Sequence, residues 1–439
     1  MTTTPEQDQP ERQEAGRYDR LCDLASLVLA LLALVWISYQ GWRLVLQGPP
    51  RGGIDLGLRW LEVKGWLAGD PIYRTIHDAV YPPASYAMLI PLLGFIKFTT
   101  ARWIWAGIQV VVLWLLGRML VCASGARTRS ERRMIALLPL GTYPVGACLG
   151  NGQLGIVVLT CLVAVIGLLQ KERSLGRDLA LAGLLTLSLV KPTVSAPFFW
   201  LVLWLGGLRP ASISVLAYVG LALLASTTQP RDVIKLHKQW HHRGVVGAQY
   251  GSSRGEGAIQ LAREAEEVKD WEVRKDKPRS KREFVIRSVN AHSVLSSLGF
   301  ARFSTRATFG LLALAGLLVG LMRRGPPWAL AGVTAIIARL YAYHAWYDDV
   351  LLLVPIVALA RIVTGSDKES PGRERLAGLL LVANLLAMLA PGGVYSLPRV
   401  PANVYVIAHT LVILVTLGLL VASARGRRES QTSGTDSGL

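Results

Sequence analysis

Long apolar runs recur along the chain from Leu24 to Ala422, separated by short polar segments. Many are of the length, about 17 to 25 residues, that an α-helix needs to cross the hydrocarbon core of a bilayer. The first run follows a polar stretch over residues 1–20. It is too long and too far in for a cleaved signal peptide and reads as a first transmembrane helix. One later run decides the topology. Pro82 to Phe98, PPASYAMLIPLLGFIKF, is short and opens on a proline pair, so it fits an interfacial or re-entrant helix as well as a span.

If that run does not cross, the basic loops all fall on the side of the N-terminus. These are RTRSERR at 127–133, QKERSLGR at 170–177, Arg209, RRG at 323–325, RIVTGSDKESPGRER at 361–375 and ARGRR at 424–428. If it does cross, they flip and violate the positive-inside rule almost everywhere. The charge pattern therefore predicts an all-α polytopic membrane protein of about 12 spans, with a count of about 13 as the alternative and both termini cytoplasmic. Residues 1–20 are expected to form a polar cytoplasmic N-terminus, 21–425 a single transmembrane domain, and 426–439 a disordered cytoplasmic tail. Within the domain, 48–102 make a first outer loop with juxtamembrane helices, and 228–305 a large outer loop.

Composition agrees: 52% of the 439 residues are hydrophobic and 17% are charged. The net charge of +18 sits in the interhelical loops, where it sets orientation, so no nucleic-acid partner is expected. Four cysteines at irregular spacing, Cys22, Cys122, Cys148 and Cys161, fit neither a disulfide framework nor a zinc site.

This topology gathers the unusual polar residues at one membrane face. Asp55 lies just past GPPRGG, a stretch that cannot continue a helix. Arg59 and Glu62 follow it at helical spacing. Asp55 is either a carboxylate placed for chemistry or an N-cap for the short helix after it. Lys191 stands between an apolar helix and a proline, where it either snorkels or meets an anion. Asn151 and Gln153, in GNGQLG, either form a tight turn or hydrogen-bond a sugar or phosphate. His344 lies in YAYHAWYDD, between Arg339 and the Asp348–Asp349 pair; it is either structural or a donor to a phosphate oxygen. His237 and His241 have metal-like spacing but no third ligand follows, so no metal is expected. No GxGxxG or Walker sequence appears and no soluble segment could hold a nucleotide-binding domain. A lipid-linked donor suits such a chain better than a cytosolic nucleotide.

The order of these pieces resembles glycosyltransferase family 87, the polyprenyl-phosphate-mannose-dependent mannosyltransferases of the C-type glycosyltransferase superfamily. The resemblance rests on Asp55, then LAGDPIY at 67–73, Tyr81-Pro82-Pro83, Gly152-Gln153, Lys191-Pro192, NAHS at 290–293 and YHAWYDDVLLLVP at 343–355. It implies a C-type fold and inverting transfer of a hexose, mannose in most members, from a polyprenyl-phosphate donor. The acceptor is a hydroxyl on an extracytoplasmic glycan or glycolipid, reached at the plasma membrane from outside. Asp55 would be the general base; Lys191, His344 and Arg59 would hold the donor phosphate; Tyr81, Asn151, Gln153, Asn290 and His292 would contact substrates. No cofactor is implied, and the remaining partners are membrane lipids. A polytopic transporter or lipid-linked sugar flippase is the competing class; no internal repeat of the kind transporters show is apparent.

Overall fold

The computed structural model describes residues 9–47, 49, 51–76, 79–250, 305–342, 344–390, 394 and 399–432. Every regular element among them is helical. Helix α1, Gln9–Trp42, runs into a π turn at Arg43–Gln47, and three short helices follow: α2, Ile54–Leu67; α3, Ile72–Thr75; α4, Pro83–Leu93. Next come α5, Phe98–Ser124; α6, Arg129–Gly141; α7, Tyr143–Asn151; α8, Gly155–Leu169; and α9, Leu175–Ser188. Helix α10, Pro192–Leu201, continues as a π turn, Val202–Gly206, into α11, Leu208–Ser226, and α12, Val233–Tyr250. The described C-terminal part holds α13, Thr305–Leu321; α14, Pro327–Leu340; a 3-10 turn, Trp346–Leu352; α15, Leu353–Val363; α16, Pro371–Leu389; and α17, Arg399–Thr432.

Four stretches are long and apolar enough to cross a bilayer: Asp19–Gln47, Phe98–Ser124, Leu208–Ser226 and Val404–Arg425. The bent pair α6–α7, angled at 44°, makes a fifth if it counts as one broken span. Several other apolar helices have 10–17 residues. The outward faces of the long helices stay apolar: Leu27, Leu31 and Leu34 on α1, Trp103, Val110 and Trp114 on α5, and Leu216 and Leu223 on α11 are all exposed. Exposed apolar stripes of this extent have lipid as their natural solvent. Helix α4, with 11 residues, rises only about 16 Å and falls well short of the roughly 30 Å core. Its proline pair starts the helix, and Pro91 sits inside it. The run that decided the topology is thus too short to span as a helix by itself.

The bundle has two distinct ends, separated by the length of α5, about 40 Å for its 27 residues. At one end the predicted basic loops meet each other. Arg361 donates to the Ala123 carbonyl at 2.8 Å and pairs with Asp367 at 2.9 Å. Arg209 reaches Asp178 at 3.5 Å. A Cβ on Gly325 would lie 2.7 Å from the Ala424 carbonyl oxygen. Thr128 and Glu131 close a capping box over the start of α6, satisfying amides that a helix start leaves open.

At the other end the polar motifs meet. Glycines allow it. The Gly53 amide donates to the Gly150 carbonyl at 2.9 Å, which seats the start of α2 on the end of α7. A Cβ on Gly52 would lie 1.7 Å from the Arg43 carbonyl oxygen, and one on Gly150 1.9 Å from Gln40 Oε1. Gly152 has φ +70° and its added Cβ would be 2.5 Å from Leu56 Cβ, so both conformation and space demand glycine. Gly152→Ala is expected to destabilise the fold by about 2–4 kcal/mol, combining left-handed strain with overpacking. Thermal unfolding in detergent checks this; an unchanged melting temperature would contradict the close approach of α2 and α7.

Candidate functional site

Asp55 sits in the first turn of α2 and is half-buried. The N-cap is Gly53, in the left-handed region at φ 62°, so capping is not the role that Asp55 plays. The helix begins here because 48-GPPRGG-53 breaks α1 and Gly53 turns the chain. A carboxylate in a first turn also meets the positive end of the helix dipole.

One turn on, Arg59 and Glu62 are buried and paired at 2.8 Å. The Arg59 guanidinium lies over the Tyr81 ring, 4.2 Å from its centre. Glu62 also accepts from the Tyr86 hydroxyl at 3.1 Å, and Tyr86 stacks on Trp66 at 4.5 Å. The loop that carries Tyr81 is held in several places. Tyr73 donates its hydroxyl to the Tyr81 carbonyl at 2.7 Å. Trp240 of α12 donates to the Val80 carbonyl at 2.8 Å, and Arg243 to the Tyr73 carbonyl at 3.0 Å. Trp66 donates to the Ala225 carbonyl at 2.9 Å, and Gln229 to the Trp66 carbonyl at 2.7 Å. The segment from the end of α11 through α12 therefore clamps the segment between α2 and α4.

Lys191 caps the start of α10 with its backbone, followed by Pro192 at the first helical position. Ser85 of α4 donates to the Val190 carbonyl at 2.8 Å. The Lys191 ammonium neither snorkels nor stands alone: Nζ lies 2.5 Å from Asp348 Oδ1 and 5.2 Å from the centre of the Tyr347 ring. The other oxygen of Asp348 accepts from His344 Nδ1 at 3.1 Å and from the Ala345 amide at 3.3 Å. One buried carboxylate thus joins both candidate phosphate donors. His344 is 1% exposed, and its Nε2 is buried without a hydrogen-bond partner among the described residues. Such an orphan costs about 1–3 kcal/mol unless a ligand or water satisfies it. Behind it, Arg339 pairs with Asp349 at 2.5 Å, both buried.

Tyr81 and Cys148 tie the two halves together. Tyr81 is within electrostatic reach of Lys191, Arg59, Asp55 and Asp348. Cys148 is within reach of Asp348, Lys191, Asp55 and Asp349, and its thiol donates to the Tyr347 carbonyl at 3.4 Å. Gln153 is buried and Asn151 half-buried; Gln109 of α5 donates to the Gln153 carbonyl at 3.0 Å. Asp55, Arg59, Tyr81, Lys191 and His344 therefore share one end of the bundle, with Asn151 and Gln153 at the α2–α7 contact beside them. Asn290 and His292 lie outside the described residues. His237 and His241 line a separate groove of about 570 Å³ between α11 and α12, and no cluster of three metal-ligating side chains occurs among the described residues.

Sequence reasoning passed over Asp348, the hub. Its signal was there: an i, i+4 pair with His344, and an acid entering the apolar run VLLLVP, where an unpaired charge is costly. Asp348→Asn leaves the Lys191 cation buried without a countercharge and is expected to cost about 3–5 kcal/mol. The double variant Lys191→Met, Asp348→Leu should regain most of that stability. Thermal unfolding of the single and double variants gives the coupling; additive losses would contradict a direct buried pair.

Residues 79–248 match the family model of Glycosyltransferase family 87. The matched stretch includes Tyr81, Asn151, Gln153 and Lys191, and bears out the resemblance read from the motifs. No curated protein and no solved structure matches the chain.

Proposed function

We propose that this membrane glycosyltransferase of family 87 transfers a hexose, mannose in our reading, from a polyprenyl-phosphate donor to a hydroxyl of an extracytoplasmic glycan or glycolipid. Transfer inverts the anomeric centre, and Asp55 is the general base. The family resemblance implies a C-type fold in the plasma membrane, and the loop charges imply about 12 spans with the site facing outward.

The observation that carries this reading is the buried cluster of Lys191 and His344 on Asp348, at the same end of the bundle as the α2 start with Asp55 and as Arg59 over the Tyr81 ring, away from the basic loops. An inverting single displacement needs one carboxylate to take the acceptor proton as the hydroxyl attacks the anomeric carbon. The bond from that carbon to the phosphate oxygen breaks, and the electron pair leaves with the lipid phosphate. That leaving group needs fixed donors where its second charge develops. Lys191 and His344, both anchored on Asp348, are suited to it; Arg59, already on Glu62, is a weaker third. Tyr81, Asn151 and Gln153 lie at the same end of the bundle, and Asn290 and His292 complete the substrate contacts in this reading. Activation by a protein carboxylate, with a lipid-borne donor, requires no nucleotide and no cofactor.

The test is transfer of label from polyprenyl-phosphate [3H]mannose to membrane acceptors. Asp55→Asn is expected to lower the rate by about 100- to 10,000-fold, the span that a general base contributes, with an unchanged melting temperature. A variant that kept a tenth or more of the activity would remove Asp55 from this role. Label that moves from another lipid-linked sugar, and not from mannose, would correct the donor.

A further inference from the structure

Of the three groups assigned to the donor phosphate, two are cations already paired with a carboxylate. Lys191 sits on Asp348 at 2.5 Å and Arg59 on Glu62 at 2.8 Å. A cation neutralised by a buried partner gains less from an incoming anion than a lone one does. His344 differs. Its Nδ1 faces Asp348 Oδ2, and an ionised carboxylate only accepts, so Nδ1 carries a hydrogen. Nε2 remains, buried and without a partner among the described residues. In the neutral ring Nε2 is an acceptor and repels a phosphate oxygen; only the protonated ring offers it a donor and a charge.

Few charged groups face His344. From its own segment comes Asp348, and from the α9–α10 junction Lys191; α14 supplies Arg339, itself matched by Asp349. Helix α7, packed on the same turn, brings Tyr143 and Cys148 but no charge, and α8 brings no charged side chain. The charge of α15, Arg361, lies at the far end on Asp367. The Tyr341 ring packs tilted against it, with ring centres 6.5 Å apart. Lys191 and Asp348 cancel, so one proton on His344 adds a single positive charge on the side of the site away from Asp55, the complement of one phosphodiester.

We infer that the donor phosphate binds together with one proton, taken up from water at His344 Nε2. This rests on the donor reading above. The proton needs no covalent partner: the imidazolium meets the phosphodiester as it binds and stays hydrogen-bonded as the second phosphate charge appears. Donor affinity is then linked to pH through one imidazole, and the acceptor's proton travels separately, to Asp55.

The experiment titrates the full-length protein in nanodiscs with a polyprenyl methyl phosphodiester. That probe holds one negative charge across about pH 5.5 to 8.5, so any proton taken up belongs to the protein. Calorimetry in two buffers of different ionisation heat counts protons per phosphodiester bound. The expected count approaches one above the ordinary imidazole range near 6.5, where affinity falls up to about tenfold per pH unit. His344→Gln should lose both the uptake and the pH dependence, and Lys191→Gln should bind more weakly but keep them. Binding without uptake, or uptake unchanged in His344→Gln, overturns this inference alone. No binding at any pH overturns the donor reading, and this inference with it. The count on the unaltered chain needs no variant, so misfolding of His344→Gln leaves the test standing, and His344→Asn then serves for the assignment.

Discussion

The ion pair between Lys191 and Asp348 is the constraint from which the site end of this bundle follows. A buried ammonium in an apolar helix bundle must find a countercharge, and the only carboxylate that the structure brings to Lys191 at bonding distance, among the described residues, belongs to the 3-10 turn before α15. Satisfying it draws the break between α9 and α10 onto the turn at 346–352. The same carboxylate has a second oxygen, and that oxygen fixes His344. Two groups distant in sequence thus acquire one geometry from one acid. The arrangement stabilises little for its own sake, since burying a pair costs much of what it returns. Its value lies in specifying position.

The opposite wall is set by backbone contact, with glycine at Gly52, Gly53, Gly150 and Gly152 letting α2 rest against α7 and the end of α1. Asp55 is therefore presented by a helix start whose place is fixed by main-chain atoms rather than by its own side chain. Aromatic side chains complete the mouth. Trp66 and Trp240 tie the segment 54–86 to α11 and α12, and Tyr73, Tyr81 and Tyr86 pack within that segment. In the proposed reading, Asp55 as base and Lys191 and His344 as phosphate donors come from separate elements at one end of the bundle, so that acceptor and donor can be oriented together.

Much of this was legible in the sequence, for identifiable reasons. Asp55, Lys191 and His344 stood out because titratable residues beside apolar runs are rare, and the proline pair at 82–83 together with the shortness of the run at 82–98 foretold a helix too short to cross. The family resemblance drawn from the motif order agrees with the match over 79–248. Other features were hidden because they depend on contacts between distant segments. Asp348 looked like one of two acids in an aromatic cluster; only the fold brings Lys191 to it. Arg59 and Glu62 had helical spacing, yet their mutual pairing decides how much charge Arg59 has left to offer. Asp55 resembled an N-cap because glycine, the actual cap, leaves no side-chain signal. The expectation of about 12 spans rests on loop charge, whereas four stretches, or five with the bent pair, reach full span length; short and broken helices blur the count.

Everything catalytic in this account requires the site end and the basic end to lie on opposite sides of the membrane, with the site outside. Single cysteines at the exposed positions Asp70, beside the site, and Lys368, in a basic loop, report this directly in a chain whose four native cysteines are replaced. A membrane-impermeant maleimide applied to intact cells should label position 70 at once and position 368 only after permeabilisation. Labelling of both positions in intact cells, or of 368 alone, would contradict the account.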